Sequence, residues 1–266
     1  MTSLATPSIP VPLPAFEDNY IWMLTGDDGT TLVVDPGDAD PVLAAVAGGV
    51  RLTTVLVTHH HSDHIGGLAA LAKSLPGLEI IAPNDERIPH ATRRVDDGER
   101  VRAAGIDFEV ITVPGHTRSH IAFHAANAGG KPLLFCGDTL FSLGCGRLFE
   151  GTPAQMLASL DRLAALPDGT QICCTHEYTQ SNAAFALAVE PGNSALLARV
   201  EEVRAQRARL LPTLPVTLGQ ERATNPFLRC DEAAVRITAA ARLGRQPASR
   251  VETFAALREW KNIFRA

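Results

Sequence analysis

The sequence predicts an α+β protein, in which a mixed β-sheet with helices outside it precedes a smaller, all-helical domain. Strand-like and helix-like segments alternate over the first two-thirds of the 266 residues. Only some strand pairs leave room for a helical crossover, so the sheet is not all parallel. Beyond about Tyr178 the apolar residues recur with helical spacing, and little of the sequence is strand-like. We therefore expect two domains, 1–177 and 178–266.

The strand predictions rest on short apolar runs bounded by turn residues. In chain order they are 19–24, 31–35, 52–57, 79–82, 108–113, 121–124, 133–136 and 171–174. The helix predictions rest on helical periodicity with start and stop signals, such as Asp40-Pro41 at one start and Pro76-Gly77 at one end. In chain order they are 42–46, 66–75, 153–166, 182–189, 194–210, 231–243 and 251–264.

Composition excludes several classes of protein. A hydrophobic fraction of 45%, a charged fraction of 20% and a net charge of −5 indicate a globular protein and argue against a nucleic-acid-binding surface. Uncharged stretches end well short of the ~20 apolar residues that span a bilayer, and residues 1–7 lack the features of an export signal. Five cysteines without a C-x-x-C pair favour a reducing cytoplasm. We expect neither a nucleic acid nor a membrane as partner.

Four of the nine histidines lie within residues 59–64, directly after a predicted buried strand. In extended backbone alternate side chains face the same side, so His59 and His61 project together and the histidine between them points away. Asp63 and His64 follow the turn and reach a neighbouring point. Imidazole and carboxylate are ligands of Zn²⁺, Fe and Mn, and this spacing suits two adjacent ions better than one. A solvated histidine-rich loop is the alternative.

Three later residues repeat one pattern, a ligand-capable side chain directly after an apolar strand. They are His116, Asp138 and His176. Each alone is more typical of a turn or a surface histidine. Together they indicate one site, because sheet proteins with helices outside gather their sites at strand ends.

The motif His59-x-His61-x-Asp63-His64, followed by these three residues, resembles that of the metallo-β-lactamase fold superfamily. Within it, the chain most resembles the hydroxyacylglutathione hydrolases, or glyoxalase II, of bacterial type. This resemblance implies a four-layer αββα sandwich with a helical C-terminal domain. The segments that carry it beyond the first metal motif are 16–20, 34–38, 114–117, 135–152, 175–179, 224–227 and the C-terminal Arg258-x-x-Lys261-x-x-Phe264.

The resemblance also implies a binuclear site of two divalent ions, Zn²⁺ first and Fe or Mn otherwise. A hydroxide that bridges ions ~3.5–4 Å apart would attack a thioester carbonyl. The thiolate would leave without a strong general acid, because a thiol pKa is roughly 8.5. The implied ligands are His59, His61 and His116 for one ion, Asp63, His64 and His176 for the other, and Asp138 as the bridge between them. The resemblance also implies that Asp63 and Asp138 are catalytic. Asp35 is implied to orient a ligand without binding an ion itself.

Glutathione carries two carboxylates, so its site needs cationic groups. The resemblance implies that Arg147, Phe149, Tyr178, Arg258 and Lys261 bind it. Spacing alone places the last two on one helix face, which a solvated basic face would equally explain. The nearby cysteines are expected to be small buried hydrophobes, since no ligand position is left for them.

The implied function is hydrolysis of S-(R)-2-hydroxyacylglutathione, in particular S-D-lactoylglutathione, to glutathione and D-lactate. This is the second step of methylglyoxal detoxification, carried out by a cytoplasmic monomer on a small-molecule substrate. The alternatives are a persulfide dioxygenase or β-lactamase-like hydrolase on the same scaffold, a nucleic-acid-processing member, and a structural metal protein. The net charge of −5 argues against the nucleic-acid-processing member. The open positions of a site with seven ligands and two ions argue against the structural metal protein.

Overall fold

The structure of the protein is a computed structural model that describes residues 9–265. The expectation that residues 1–7 lack an export signal concerns a segment outside the described part of the chain. The described chain divides into two compact units. The first unit comprises the described chain up to Thr112 together with Ser119–Gly137. The second unit comprises Val113–Arg118 together with the chain from Asp138 onward.

The first unit contains a six-stranded mixed sheet whose strands lie in chain order. The first three strands pair antiparallel and the last four pair parallel, which confirms the prediction of a mixed sheet. The strands are β1 (Val11–Ala15), β2 (Asn19–Thr25), β3 (Thr31–Val34), β4 (Leu52–Leu56), β5 (Glu79–Pro83) and β6 (Arg93–Val95).

Helices join the parallel strands of this sheet. They are α1 (Asp40–Ala47), α2 (Ser62–Ile65) and α3 (Leu68–Ser74). Val33 and Val55 of the sheet share one buried cluster with Val42 of α1 and Leu68 and Leu71 of α3. Burial of these apolar side chains is the main force that holds the helices to the sheet.

The predicted helix 66–75 begins two residues late, and the four-residue α2 precedes it. Gly66 and Gly67 separate α2 from α3. Both glycines lie so close to neighbouring backbone that a side chain would not fit. A Cβ at Gly66 would lie 2.6 Å from the carbonyl oxygen of Gly37, and one at Gly67 would lie 2.6 Å from that of Pro36. The glycine pair thus permits a close approach that brings the junction of α2 and α3 beside Pro36 and Gly37, just past the end of β3.

A second group of strands in the first unit is antiparallel. It consists of β7 (Arg100–Ala103), β8 (Ile106–Thr112), β9 (Ile121–Ala128) and β10 (Lys131–Gly137), paired in that order. The rings of Phe108 and Phe135 pack 6.0 Å apart in its buried interior. The backbone N–H of Ile121 donates to the carbonyl of Thr58, just past β4, and so ties the two sheets together at the histidine segment.

The second unit is mostly helical after its first strands. Its elements are β11 (Leu140–Phe141), β12 (Gly144–Cys145), α4 (Pro153–Ala164), β13 (Gln171–Cys174), α5 (Thr179–Val189), α6 (Ser194–Ala208), β14 (Val216–Thr217), α7 (Leu218–Thr224), α8 (Ala233–Leu243) and α9 (Arg250–Ile263). The helical prediction for the C-terminal part is confirmed. Within residues 9–265, no helix has the length and apolar character needed to cross a membrane.

Local signals set the ends of several of these helices. Thr152 and Gln155 form a reciprocal capping box at the start of α4, with a proline in its first turn. Asn193 caps α6 and Ser249 caps α9 through their side chains. Gly244 ends α8 in the left-handed conformation, at a φ of 70°. These polar caps leave the apolar faces of the helices free to pack against each other.

Candidate metal centre

The first unit places His59 and His61 side by side, in the segment between β4 and α2. The Nε2 atom of His59 lies 3.1 Å from the Nδ1 atom of His61. The Thr58 hydroxyl donates to Asp35, so it accepts from Nδ1 of His59 at 3.1 Å. That hydrogen bond fixes the tautomer of His59 and leaves a lone pair on Nε2. Two ring nitrogens therefore face one point, as the alternation in the sequence predicted.

Asp35 organises this region although it is not a predicted ligand. One of its carboxylate oxygens accepts from the backbone N–H of Thr58 at 2.7 Å. The other accepts from the Thr58 hydroxyl at 2.7 Å and from Nδ1 of His64 at 3.0 Å. Ligand-capable atoms of Asp35, His59 and His64 lie within 4.8 Å of one another. Because its oxygens already accept three hydrogen bonds, Asp35 orients the two histidines and leaves the lone pair of His64 on Nε2.

Two other polar residues of the segment 59–64, Asp63 and His60, have different neighbours. Asp63 lies beside His64, with its carboxylate 3.5 Å from Nε2, and accepts from the Asn19 amide at 3.2 Å. His60 instead approaches Asp85, at 3.5 Å. Hydrogen bonds from the Arg87 side chain hold the pKa of Asp85 well below its ordinary value. His60 therefore has an anionic neighbour of its own, while its ring lies edge-on to that of His61 with centroids 4.8 Å apart.

His120 is a neighbour that the sequence did not assign to the site. Its ring is fully buried and stacks on the ring of His59, with centroids 4.5 Å apart and planes 17° from parallel. A Cβ at Gly137 would lie 2.3 Å from the Thr58 hydroxyl and 2.8 Å from the His120 ring. The sequence signal for this packing is Gly137, which directly follows the predicted strand 133–136. Helical and strand periodicity give no information about which ring packs against it.

The second unit holds the other three predicted ligands around one carboxylate. The two oxygens of Asp138 lie 3.4 Å from Nε2 of His116 and 3.4 Å from Nε2 of His176. Nδ1 of His116 donates to the carbonyl of Arg147 at 2.9 Å, so the lone pair of His116 is on Nε2. Each oxygen of the Asp138 carboxylate therefore has one imidazole beside it.

Aromatic rings fix the outer face of this second group. The ring of Tyr178 stacks on that of His176, with centroids 4.6 Å apart and planes 4° from parallel. Phe141 meets both rings edge-on, at 5.8 and 5.2 Å. Phe149 is 63% exposed and its ring lies 5.3 Å from that of His116. Each of the two histidines therefore contacts at least one aromatic ring.

The predicted cationic groups differ in their surroundings. Arg147 is exposed. Arg258 is 4% exposed, and its guanidinium donates to the Cys145 carbonyl at 2.6 Å and lies over the Phe227 ring. Lys261 donates to the Ser181 carbonyl at 3.2 Å. The spacing predicted that Arg258 and Lys261 share one helix face. In the structure the Arg258 side chain is buried, whereas the Lys261 ammonium group donates to a backbone carbonyl.

Burial is the main cause that lowers the pKa of Lys261, to about 8, and the charges of Arg258 and Arg147 add to the effect. A cationic group with this pKa is only partly charged at slightly alkaline pH. An anionic ligand beside it would restore the charge.

The cysteines Cys136 and Cys145 are small buried hydrophobes, as the sequence predicted. Both are buried, and burial raises the pKa of the Cys145 thiol.

Histidines and aspartates gathered at strand ends in mixed sheets define the metallo-β-lactamase class. The family model for the metallo-beta-lactamase superfamily matches residues 16–176. The model for the hydroxyacylglutathione hydrolase C-terminus matches residues 177–264. The chain belongs to the hydroxyacylglutathione hydrolase family, a family of thioester hydrolases within that superfamily.

Individual relatives agree with this assignment. A hydroxyacylglutathione hydrolase of Stenotrophomonas maltophilia (strain R551-3) is 58% identical over 254 residues, which cover 96% of this chain and 98% of that protein. The crystal structure of ETHE1 from Myxococcus xanthus shares the fold, with a TM-score of 0.66, 24% identity and coverage of 97% and 92% of the two chains. The crystal structure of TTHA1623 in a di-iron-bound form has a TM-score of 0.58, 27% identity and coverage of 83% and 100%.

Proposed function

We propose that the chain hydrolyses the thioester of S-(R)-2-hydroxyacylglutathiones, with S-D-lactoylglutathione as substrate and glutathione and D-lactate as products. The observation that carries this proposal is the oriented set of imidazoles and carboxylates in a chain whose 58%-identical relative is named hydroxyacylglutathione hydrolase. Such a reaction would be the second step of methylglyoxal detoxification.

The donor set fits divalent metal ions, and we propose two per chain, most readily Zn²⁺. In each unit histidine ring nitrogens face carboxylates or each other, which is the orientation that ligands need. A related chain has a structure in a di-iron-bound form, which supports a second ion and keeps iron as an alternative metal. The proposed ligands are His59, His61 and His116, then Asp63, His64 and His176, with Asp138 shared.

Two bound ions supply a nucleophilic hydroxide at neutral pH and positive charge for the developing oxyanion. The residues of the chain do the rest. Asp35 and the Arg147 carbonyl keep the ligand tautomers of His64 and His116. The thiolate of glutathione leaves unaided, because its conjugate thiol has a pKa of roughly 8.5.

For the substrate we propose contacts from the second unit. Lys261 and the exposed Arg147 provide charge for the glutathione carboxylates, and Tyr178 provides a hydroxyl beside His176. Phe149 provides an exposed ring. Arg258 contributes through the loop carbonyl it holds, and its direct contact with glutathione stays a prediction.

We further propose a cytoplasmic monomer that acts on a small molecule and binds neither nucleic acid nor membrane. Five buried cysteines without a disulfide support a reducing compartment. A domain boundary between residues 177 and 178 also stays a prediction, and the point at which the two family models meet supports it.

The decisive experiment is a thioester hydrolysis assay with S-D-lactoylglutathione, in which a β-lactam and glutathione persulfide serve as control substrates. We expect turnover of the thioester alone, loss of turnover after chelation, and close to two ions per chain by metal analysis. Faster turnover of either control substrate would contradict the substrate assignment. One ion per chain would contradict the two-ion centre.

A further inference from the structure

One buried polar cluster of the second unit has no part in the chemistry described above. Glu221 lies in α7 and Asn225 ends that helix, and both side chains are fully buried. Asn225 belongs to the segment 224–227, one of those that carried the family resemblance without a role. Burial raises the pKa of Glu221, although the hydrogen bonds that its carboxyl group accepts act in the opposite direction.

Those hydrogen bonds come from the turn of the β11–β12 hairpin. One oxygen of Glu221 accepts from the Ser142 hydroxyl and the other from the Leu143 backbone N–H, each at 2.8 Å. Leu143 has a φ of 59°, a left-handed conformation that is unfavourable for a residue with a Cβ atom. Glu221 therefore stabilises a turn that its own sequence does not favour.

The Asn225 side chain holds both strands of the same hairpin. Its amide nitrogen donates to the carbonyls of Phe141 and Gly144, at 3.1 and 2.9 Å, and to Glu221 at 2.9 Å. Its amide oxygen accepts from the Phe227 N–H at 3.0 Å, so the orientation of the amide is fixed. One buried amide thus replaces the ladder bonds that a longer hairpin would make itself.

Each end of this hairpin leads to a predicted ligand of the second unit. At the first strand, the Phe141 ring packs edge-on against His176 and Tyr178. Two residues beyond the second strand, the Arg147 carbonyl accepts from Nδ1 of His116. The hairpin is therefore the element through which a buried helix end reaches both histidines.

We propose that Glu221 and Asn225 are positioning residues that hold the hairpin 140–145 and thereby orient His116 and His176 for metal and Tyr178 for glutathione. The catalytic consequence of this role rests on the proposed thioester hydrolysis. The physical consequence, a rigid hairpin, does not.

The test uses Asn225→Asp in the full chain. The substitution keeps the shape but turns the donor into a carboxylate that faces Glu221 and the two carbonyls, so the hairpin loses both bonds that residue 225 donates to it. We expect amide hydrogen exchange in peptides covering 139–147 to become roughly tenfold faster, in metal-loaded and metal-free protein alike. We also expect kcat/KM for S-D-lactoylglutathione to fall about 100-fold, with an altered absorption spectrum of the cobalt-loaded enzyme.

Two further variants separate positioning from general loss of stability. Thr224→Val removes a bond within α7, from the Thr224 hydroxyl to the Gln220 carbonyl, that does not involve the hairpin. It should leave exchange in 139–147 and the cobalt spectrum unchanged. Glu221→Gln should retain near-normal values, because its carbonyl can still accept from Leu143 while its amide donates to Ser142.

The outcomes decide the inference in each case. Wild-type exchange in Asn225→Asp overturns it, as does fast exchange with unaltered cobalt spectrum and kcat/KM. If Asn225→Asp does not fold, Ser142→Ala removes one hairpin bond, and wild-type exchange in that variant overturns the inference. If the unmodified enzyme hydrolyses no glutathione thioester, the proposed function fails, and the exchange of the metal-free protein still decides the role of the two residues.

Discussion

At the scale of single residues, Asp35 shows how one side chain fixes several others. Replacement by Asn puts an amide donor where the Thr58 hydroxyl and Nδ1 of His64 now donate, so His64 loses its fixed tautomer. We expect Asp35→Asn to lower metal affinity 10–100-fold. Competition with a chromophoric chelator measures it, and Asp27→Asn in an exposed turn is the control. Equal affinities in the two variants would show that Asp35 does not orient a ligand.

Lys261 is the residue whose charge should depend on pH in the working range. Its pKa is lowered to about 8, first by burial and then by Arg258 and Arg147, so it is charged below pH 8 and loses its charge above. We therefore expect affinity for S-methylglutathione, a thioether that cannot be hydrolysed, to fall as pH rises from 7 to 9. Calorimetry measures this, and Lys261→Met should bind weakly with no inflection near pH 8. A persistent inflection in that variant would assign it to another group.

At the scale of elements, the sequence predicted best where one element is stabilised by its own pattern. The strand 171–174 and the start of α4 at Pro153 coincide with the structure, because continuous apolar runs and a capping box are local signals. The hairpin of β11 and β12 was missed because its stability comes from side chains about 80 residues further along the chain.

The same distinction applies to the site. The histidines and aspartates that lie close together in each unit could be predicted, since strand ends and alternation are visible in sequence. The burial of Arg258 could not, because its partner is a backbone carbonyl 113 residues away and helical spacing records only neighbours on the same helix. The stacking of His120 on His59 was hidden for the same reason, as no periodicity connects the two positions.

At the scale of the whole molecule, the proposed ligands extend from His59 to His176 along the chain, so metal ions should stabilise the folded state as a whole. Ions that bind only the folded chain add about 4 kcal/mol at 1,000 times their dissociation constant. Chelation should therefore lower Tm by roughly 10 °C, and added Zn²⁺ should restore it. Asp138→Ala should begin at the lower Tm and respond to neither treatment, because it removes the carboxylate that meets both His116 and His176. His90→Ala, at an exposed histidine outside the ligand set, should behave as the unmodified chain does. A Tm that chelation leaves unchanged would mean that the ions, if they bind, are not part of what holds the chain folded.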